Sequence, residues 1–102
     1  MFIVLYRWRI KPDKEQQFIE AWAEVTGYFL ANFDSLGSRL HRGSDGLFYA
    51  YAQWKSKEER ENAFENASEL EAGTKMRQAI TEGFEPVILE TLSDCLIFSV
   101  LS

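Results

Sequence analysis

Cysteine and histidine are scarce in this 102-residue sequence, and neither extended apolar runs nor glycine-rich loops occur. The one cysteine, Cys95, cannot form an intrachain disulfide, and the one histidine, His41, has no metal-ligand spacing to a neighbour. A phosphate-binding glycine loop of the Walker or dinucleotide type is also missing. We therefore expect no metal and no cofactor.

The hydropathy pattern and the net charge disfavour several partners and locations. No window approaches the ~20 consecutive apolar residues that span a bilayer, and Arg7, Arg9 and Lys11 interrupt the apolar beginning of the chain. A net charge of −5 opposes binding to phosphate backbones or to anionic lipid. The sequence therefore predicts a cytoplasmic protein with neither nucleic acid nor membrane as a partner.

Aromatic residues, by contrast, are abundant. They make up 15% of the chain, and apolar residues make up 46%. A chain of this length forms one domain, so we interpret residues 1–102 as a single folding unit. That much aromatic bulk exceeds what one small core uses, and the surplus indicates a pocket or an interface.

The first half of the chain predicts a strand, a helix and a hairpin. Residues 2–10 alternate with a period of two, and their first half is apolar on both faces. A helix is predicted over 12–31, with Pro12 at its first position and apolar residues at helical spacing. Two further strands, 36–42 and 47–54, flank Gly43-Ser44-Asp45-Gly46, which is typical of a hairpin turn.

Two short helices and an apolar tail follow. Ser56 and Glu59 have the spacing of a capping box, and so do Ser68 and Glu71, while Gly83 and Pro86 form a stop. Strand-like runs are expected at 87–92 and at 95–101, within a tail of residues 93–102, and Cys95 is expected to be buried there.

The resulting order, β-α-β-β-α-α-β, predicts an α+β ferredoxin-like fold with an antiparallel sheet and its helices on one face. The opposite face would be bare. We therefore expect a homodimer that buries this face, with the strand-like tail at its interface.

Local similarities point to a known family. The stretch Tyr6–Phe18, Trp22 and the segment Tyr51–Glu59 resemble the antibiotic biosynthesis monooxygenase (ABM) superfamily, whose recognisable feature is a tryptophan followed two residues later by a capping serine, here Trp54 and Ser56. The resemblance covers about residues 2–92. It implies a dimeric α/β barrel in which Trp54 lies beside a cavity between sheet and helices.

The resemblance implies three possible activities: cofactor-independent oxygenation of aromatic or quinone-like compounds, oxygenative haem breakdown, and isomerase or lyase work on small metabolites. The haem-degrading branch uses an asparagine on the first strand and a histidine on the helix after the third. Trp8 and Phe64 fall near those positions here. This replacement disfavours haem as a substrate.

Five residues are candidates for lining the site: Trp54, Trp8, Tyr51, His41 and Arg39. Trp54 and Trp8 would provide flat walls, whereas core filling is the simpler role for Trp22. Tyr6, Tyr49 and Tyr51 could each supply a phenol, although alternate strand residues point to opposite faces.

His41 shares a strand face with Arg39 and could bind an anion or act as a base, or it could be an ordinary surface histidine. The charged stretch 55–61 is most simply a solvated helix face. The leading hypothesis is a cofactor-independent monooxygenase-like enzyme acting on a small hydrophobic or aromatic molecule. The alternative is a non-catalytic, dimeric small-ligand-binding or stress-associated module.

Overall fold

The computed structural model of the protein describes residues 1–97. It contains three α-helices and five strands, of which the sequence predicted all but one strand. In chain order they are β1 (Phe2–Ile10), α1 (Glu15–Asn32), β2 (Ser35–Arg42), β3 (Phe48–Trp54), α2 (Lys57–Asn66), α3 (Glu71–Ala79), β4 (Ile80–Gly83) and β5 (Val87–Leu89). Pro12–Lys14 forms a single 3-10 turn that leads into α1.

The sheet is antiparallel and open, with β1 at its centre. The strand order is β2-β3-β1-β4, and β5 also pairs with β1. The two short strands therefore follow one another along the same edge of β1: β4 pairs with Trp8–Ile10, and β5 pairs with Ile3–Leu5. This arrangement is the predicted ferredoxin-like α+β fold.

All three helices lie on one face of the sheet, called the helix face below. Cross-strand neighbours share a face, and Val4, Tyr6 and Trp8 of β1 stand opposite Ala52, Ala50 and Phe48 of β3 on this side. Phe18 of α1 and Val4 of β1 are completely buried where the helices pack on the sheet. Each such side chain contributes about 1.5–3 kcal/mol by leaving water.

The long helix buries a narrower face than its sequence suggests. Phe18 and Ala21 are buried, and Trp22 packs against the same cluster. Other apolar side chains of this helix are only partly covered, and Ile19 and Leu30 are exposed. The helix therefore contacts the sheet along one main ridge.

The two predicted capping boxes have different outcomes. Ser56 caps α2 as predicted, since its Oγ accepts a hydrogen bond of 3.1 Å from the backbone N–H of Glu59. The Ser68 prediction was wrong. The N-cap of α3 is Leu70 and makes no side-chain cap, while the backbone N–H of Ser68 donates to the Tyr28 hydroxyl.

The chain after α3 also differs from expectation. The helix was predicted to continue towards Gly83, but Ile80–Gly83 is a strand, because β1 offers an unpaired edge there. The strand expected at 87–92 ends at Leu89. Residues 95–97 form no strand, Cys95 is exposed rather than buried, and residues 98–102 of the predicted tail lie outside the described part.

Within residues 1–97, no helix is both long enough and apolar enough to cross a bilayer.

Candidate functional site

A cavity of about 190 Å³ lies between the helix face of the sheet and the helices. Its lining is almost entirely apolar, and most of its side chains come from β1, α1 and β3. The residues that line it are Tyr6, Trp8, Trp22, Val25, Thr26, Phe29, Ser35, Gly37, Ser38, Ala50, Ala52, Trp54, Phe64 and Met76.

The space exists because two small residues occupy the middle of β3. Ala50 and Ala52 lie on its buried face between the larger Phe48 and Trp54. A larger aliphatic residue at either position would extend into the cavity. The alternation of the strand therefore determines where the floor of the cavity lies.

Aromatic rings form the walls. On one side Tyr6 and Trp8 stack with ring centroids 5.8 Å apart and planes 5° from parallel. On the other, Phe29 lies 5.7 Å from Trp54 and 5.5 Å from Phe64, again between ring centroids. Such walls suit a flat, apolar molecule.

Two buried polar atoms of the lining have no hydrogen-bond partner among the described residues: Nε1 of Trp54 and Oγ of Ser38. Trp54 is only 4% exposed, and its indole N–H can act only as a donor. A buried donor without an acceptor costs about 1–3 kcal/mol. An acceptor oxygen brought within hydrogen-bond distance of this N–H would remove this cost.

The Tyr6 hydroxyl is hydrogen-bonded to Arg60 of α2. Nε and Nη2 of Arg60 donate to the phenol oxygen at 3.1 and 2.8 Å. The guanidinium also lies over the Phe64 ring, 4.4 Å from its centroid. Arg60 is thus in contact with two residues of the lining without belonging to it.

Of the five predicted site residues, the structure brings Trp54 and Trp8 to the cavity and leaves Tyr51, His41 and Arg39 outside its lining. Tyr51 pairs with Arg39 across β2 and β3, on the sheet face that points away from the helices. Both Arg39 and His41 are exposed. The helix face and the outer face alternate along each strand, which separates these two groups.

Sequence reasoning missed Ser38 and Arg60, and it named Tyr6 only as one of three possible phenols. Tyr6 carried a usable signal, since it shares a strand face with Trp8. Arg60 stands in a charged stretch that was interpreted as a solvated face, and it is half-buried against Tyr6 and Phe64 instead.

Metal and haem sites receive no support from the described residues. Within residues 1–97, no group of three or more His, Cys, Asp or Glu side chains could hold a metal ion. The lining described here contains no imidazole, the iron ligand of the haem-degrading branch, and Trp8 and Phe64 present rings to the cavity. These residues do not fit a haem site of that type.

Comparison with known proteins gives a consistent picture. The family model described as "Antibiotic biosynthesis monooxygenase" matches residues 1–77. No curated protein sequence matches the chain.

Three solved structures of similar fold share little sequence with the chain. SnoaB, a cofactor-independent oxygenase from Streptomyces nogalater, has a TM-score of 0.77 and 16% identity, and the match covers 92% of this chain and 95% of SnoaB. Rv0793 from Mycobacterium tuberculosis has a TM-score of 0.74 and 14% identity, with 93% and 98% covered. A conserved protein from Methanosarcina mazei has a TM-score of 0.73 and 13% identity, with 86% and 89% covered.

Proposed function

Because the chain belongs to the antibiotic biosynthesis monooxygenase family, we propose that it is a cofactor-independent monooxygenase acting on a small hydrophobic or aromatic molecule. The observation that carries the proposal is the apolar, aromatic-walled cavity lined by Trp54, whose buried indole N–H has no partner among the described residues. An acceptor oxygen on a flat ring matches both features. SnoaB, whose fold is similar, is itself described as a cofactor-independent oxygenase.

The reaction needs no reductant other than its substrate. A hydroxyaromatic compound loses its phenolic proton, and the electron-rich ring carbon para to the oxygen is oxidised by O₂. One oxygen atom becomes a new carbonyl on that carbon. The other leaves as water with the two hydrogens that the substrate has lost.

The cavity residues would support this chemistry in two ways. The Trp54 N–H would donate to the substrate oxyanion, whose charge is stabilised best by a fixed donor in an apolar site. The rings of Trp8, Phe29 and Phe64 would hold the substrate plane and exclude water. No carboxylate or imidazole belongs to the lining given above, so the phenolic proton would pass to solvent. The rate should therefore rise with pH until the substrate is ionised.

The volume of the cavity limits the size of the substrate. An apolar cavity of about 150 Å³ admits one benzene molecule, and this one is about 190 Å³. Sites for larger ligands are usually about 300–1,000 Å³. We therefore propose a substrate of one or two rings.

Oxygen consumption tests the proposal directly. Purified protein with a chelator present is mixed with 1-naphthol, and O₂ uptake is recorded together with quinone absorbance. The wild-type protein should accelerate both above the buffer rate. Trp54→Phe should reduce the acceleration by about 100- to 1,000-fold, the usual effect of losing one oxyanion donor. Tyr28→Phe is the matched control and should retain full activity, because that hydroxyl accepts from the Ser68 backbone outside the cavity lining.

Two negative results have different meanings. If naphthols bind without oxygen uptake, the protein is a binding module and the monooxygenase proposal fails. If naphthols do not bind at all, the cavity is not a site for this class of compound, and the proposal fails with it.

We further propose that the protein acts as a homodimer through the outer face of the sheet. Leu5 and Tyr51 lie on that face and are only half-buried. Large apolar side chains after β5 are almost fully exposed, with Leu96 at 89% and Ile97 at 92%. A second copy could cover both surfaces, and a specific interface of this kind buries about 1,200 Å² or more.

Light scattering and interface charges test this second proposal. The intact chain should run as a dimer at micromolar concentration, and the double change Leu96→Glu and Ile97→Glu should shift it towards monomer. Asn62→Glu with Gln78→Glu adds the same charge on exposed positions of the helix side and should leave the dimer intact. A monomeric wild-type protein, or equal effects of both pairs, would refute the assignment.

A further inference from the structure

The Tyr6–Arg60 contact has a directional consequence for the ligand. A phenol oxygen has one hydrogen to donate and two lone pairs with which to accept. Nε and Nη2 of Arg60 both donate to this oxygen, at 3.1 and 2.8 Å. With its acceptor positions occupied from the α2 side, the hydroxyl must direct its hydrogen away from Arg60.

We assign that direction to the cavity, because Tyr6 is one of the residues that line it. Tyr6 belongs to the lining, whereas Arg60 does not. The tyrosine ring is fixed by its stacking on Trp8, and the guanidinium is fixed by its position 4.4 Å above the Phe64 ring. Both partners are therefore restrained, which keeps the Tyr6 oxygen in place relative to Arg60.

We infer that Tyr6 is a ligand-contacting donor that requires an acceptor oxygen on the bound molecule, and that Arg60 is a positioning residue acting through Tyr6. The inference rests on the proposed function only in assigning the ligand to this cavity, and it adds the polarity of one ligand group. A carbonyl or an oxyanion satisfies Tyr6. A hydrocarbon of the same shape leaves the hydroxyl hydrogen without a partner.

Arg60 itself supports this assignment. It is half-buried, and within residues 1–97 no carboxylate lies within salt-bridge distance of it. A partly buried guanidinium normally pairs with a carboxylate or phosphate. Within residues 1–97, both side-chain hydrogen bonds of Arg60 go to the Tyr6 oxygen. Its role is thus better explained by Tyr6 than by a structural ion pair.

The test compares two ligands that differ by one oxygen, 1-tetralone and tetralin. All three tryptophans of the chain, Trp8, Trp22 and Trp54, line the cavity, so their fluorescence reports occupancy, and calorimetry confirms the affinities. The measured quantity is the ratio of the two dissociation constants. Tyr6→Phe should reduce the preference for the ketone about three- to tenfold, the effect of losing one neutral hydrogen bond. Tetralin affinity should change less than about twofold, because it never uses the hydroxyl.

Arg60 variants separate positioning from folding. Arg60→Met removes both donors and should lower the ketone preference by less than Tyr6→Phe does, while Arg60→Lys should restore part of it. In the Tyr6→Phe background, Arg60→Met should have no further effect on the ratio, because its action passes through Tyr6. Tyr28→Phe is the matched control, since that hydroxyl accepts from Ser68 outside the cavity lining.

An unchanged ratio in Tyr6→Phe would overturn the inference, as would equal and additive losses from the two changes. Absence of binding by both ligands would overturn it as well. If Tyr6→Phe does not fold, the Arg60→Lys and Arg60→Met ratios decide the matter. Because no oxygen is consumed in these measurements, the inference can hold when the oxygenase assay fails, and it can fail when that assay succeeds.

Discussion

Phe29 and Trp54 meet edge to face, with ring centroids 5.7 Å apart and planes at 74°. One belongs to α1 and the other to the last position of β3, so the contact connects helix and sheet beside the cavity. Ala63 of α2 packs into the same cluster and is completely buried. Trp54 is consequently a structural residue as well as a site residue.

The double role of Trp54 predicts different effects of two substitutions on stability. Trp54→Ala should reduce the free energy of unfolding by about 3–5 kcal/mol, because it empties a packed aromatic position. Trp54→Phe keeps most of the ring contacts and removes the unpaired donor, so it should reduce the free energy of unfolding much less. Urea denaturation measures both. Ile19→Ala, at a position 36% exposed, is the control. It should reduce the free energy of unfolding by less than Trp54→Ala or Phe18→Ala does. A small loss in Trp54→Ala would contradict the packing described here.

Two alanine-to-leucine changes should have opposite effects. Ala50→Leu enters the cavity, so it should block binding of a bicyclic ligand while leaving stability equal or higher. Ala63→Leu has no such space, because Ala63 is fully buried between Val4 and Trp54. Overpacking of this kind costs about 1–3 kcal/mol. Thermal unfolding and ligand titration of both variants provide the comparison, and equal stability losses would argue against an accessible cavity beside β3.

The two serines with capping-box spacing should respond differently to alanine. Ser56→Ala removes the side-chain acceptor for the Glu59 N–H and should destabilise the protein by about 0.5–2 kcal/mol. Ser68→Ala should be close to neutral, since the hydrogen bond of Ser68 to Tyr28 uses its backbone N–H. Urea midpoints at constant m-value distinguish the two. A loss at Ser68 as large as that at Ser56 would mean that its side chain does cap α3.

A pH dependence should arise in the hairpin turn. The Tyr49 hydroxyl donates to Asp45, which lowers the pKa of the Asp45 carboxyl and raises the pKa of the Tyr49 phenol. The contribution of Asp45 to stability is present above its ordinary pKa of 3.8 and is lost as the pH falls through the lowered value. The contribution of Tyr49 to stability is present below its ordinary pKa of 10.0 and is lost as the pH rises through the raised value.

Spectroscopic titration checks this prediction. Asp45→Ala should lower the pKa of Tyr49 towards its ordinary value, observed as tyrosinate absorbance after subtraction of the Tyr49→Phe variant. Ser44→Ala changes the neighbouring turn residue without touching the carboxylate and serves as the control. An unaltered Tyr49 titration in Asp45→Ala would show that the hydrogen bond does not control it.

The sequence predicted most of the fold because local signals agreed with tertiary structure. Strict alternation in β1 and β3, the hairpin turn with Gly46 at a φ of +86°, and the Ser56 cap are all local features. β4 was missed for the opposite reason. Met76, Ala79 and Ile80 continue a helical apolar spacing, and only the edge of β1 determines that the chain becomes extended at Ile80.

The site was predictable to the extent that it depends on strand faces. Trp54 and Trp8 lie on the helix face as the period of two requires, but His41, Arg39 and Tyr51 lie on the other face. To decide which strand face lines the cavity, one must know on which side of the sheet the helices pack, and the alternation of the strands does not give this. Arg60 could not have been found locally, because its partner Tyr6 is 54 residues away in sequence.

The irregular start of β2 affects how the protein avoids aggregation. β2 is the outermost described strand on its side of the sheet, and its pairing with β3 shifts register between Ser35 and Gly37, where Gly37 has a φ of +100°. The exposed guanidinium groups of Arg39 and Arg42 follow along the same strand. A bulge and positive charge on an edge both discourage a strand of another chain from extending the ladder. This edge is therefore protected against fibril-like growth, which leaves the face of the sheet as the surface available for orderly association.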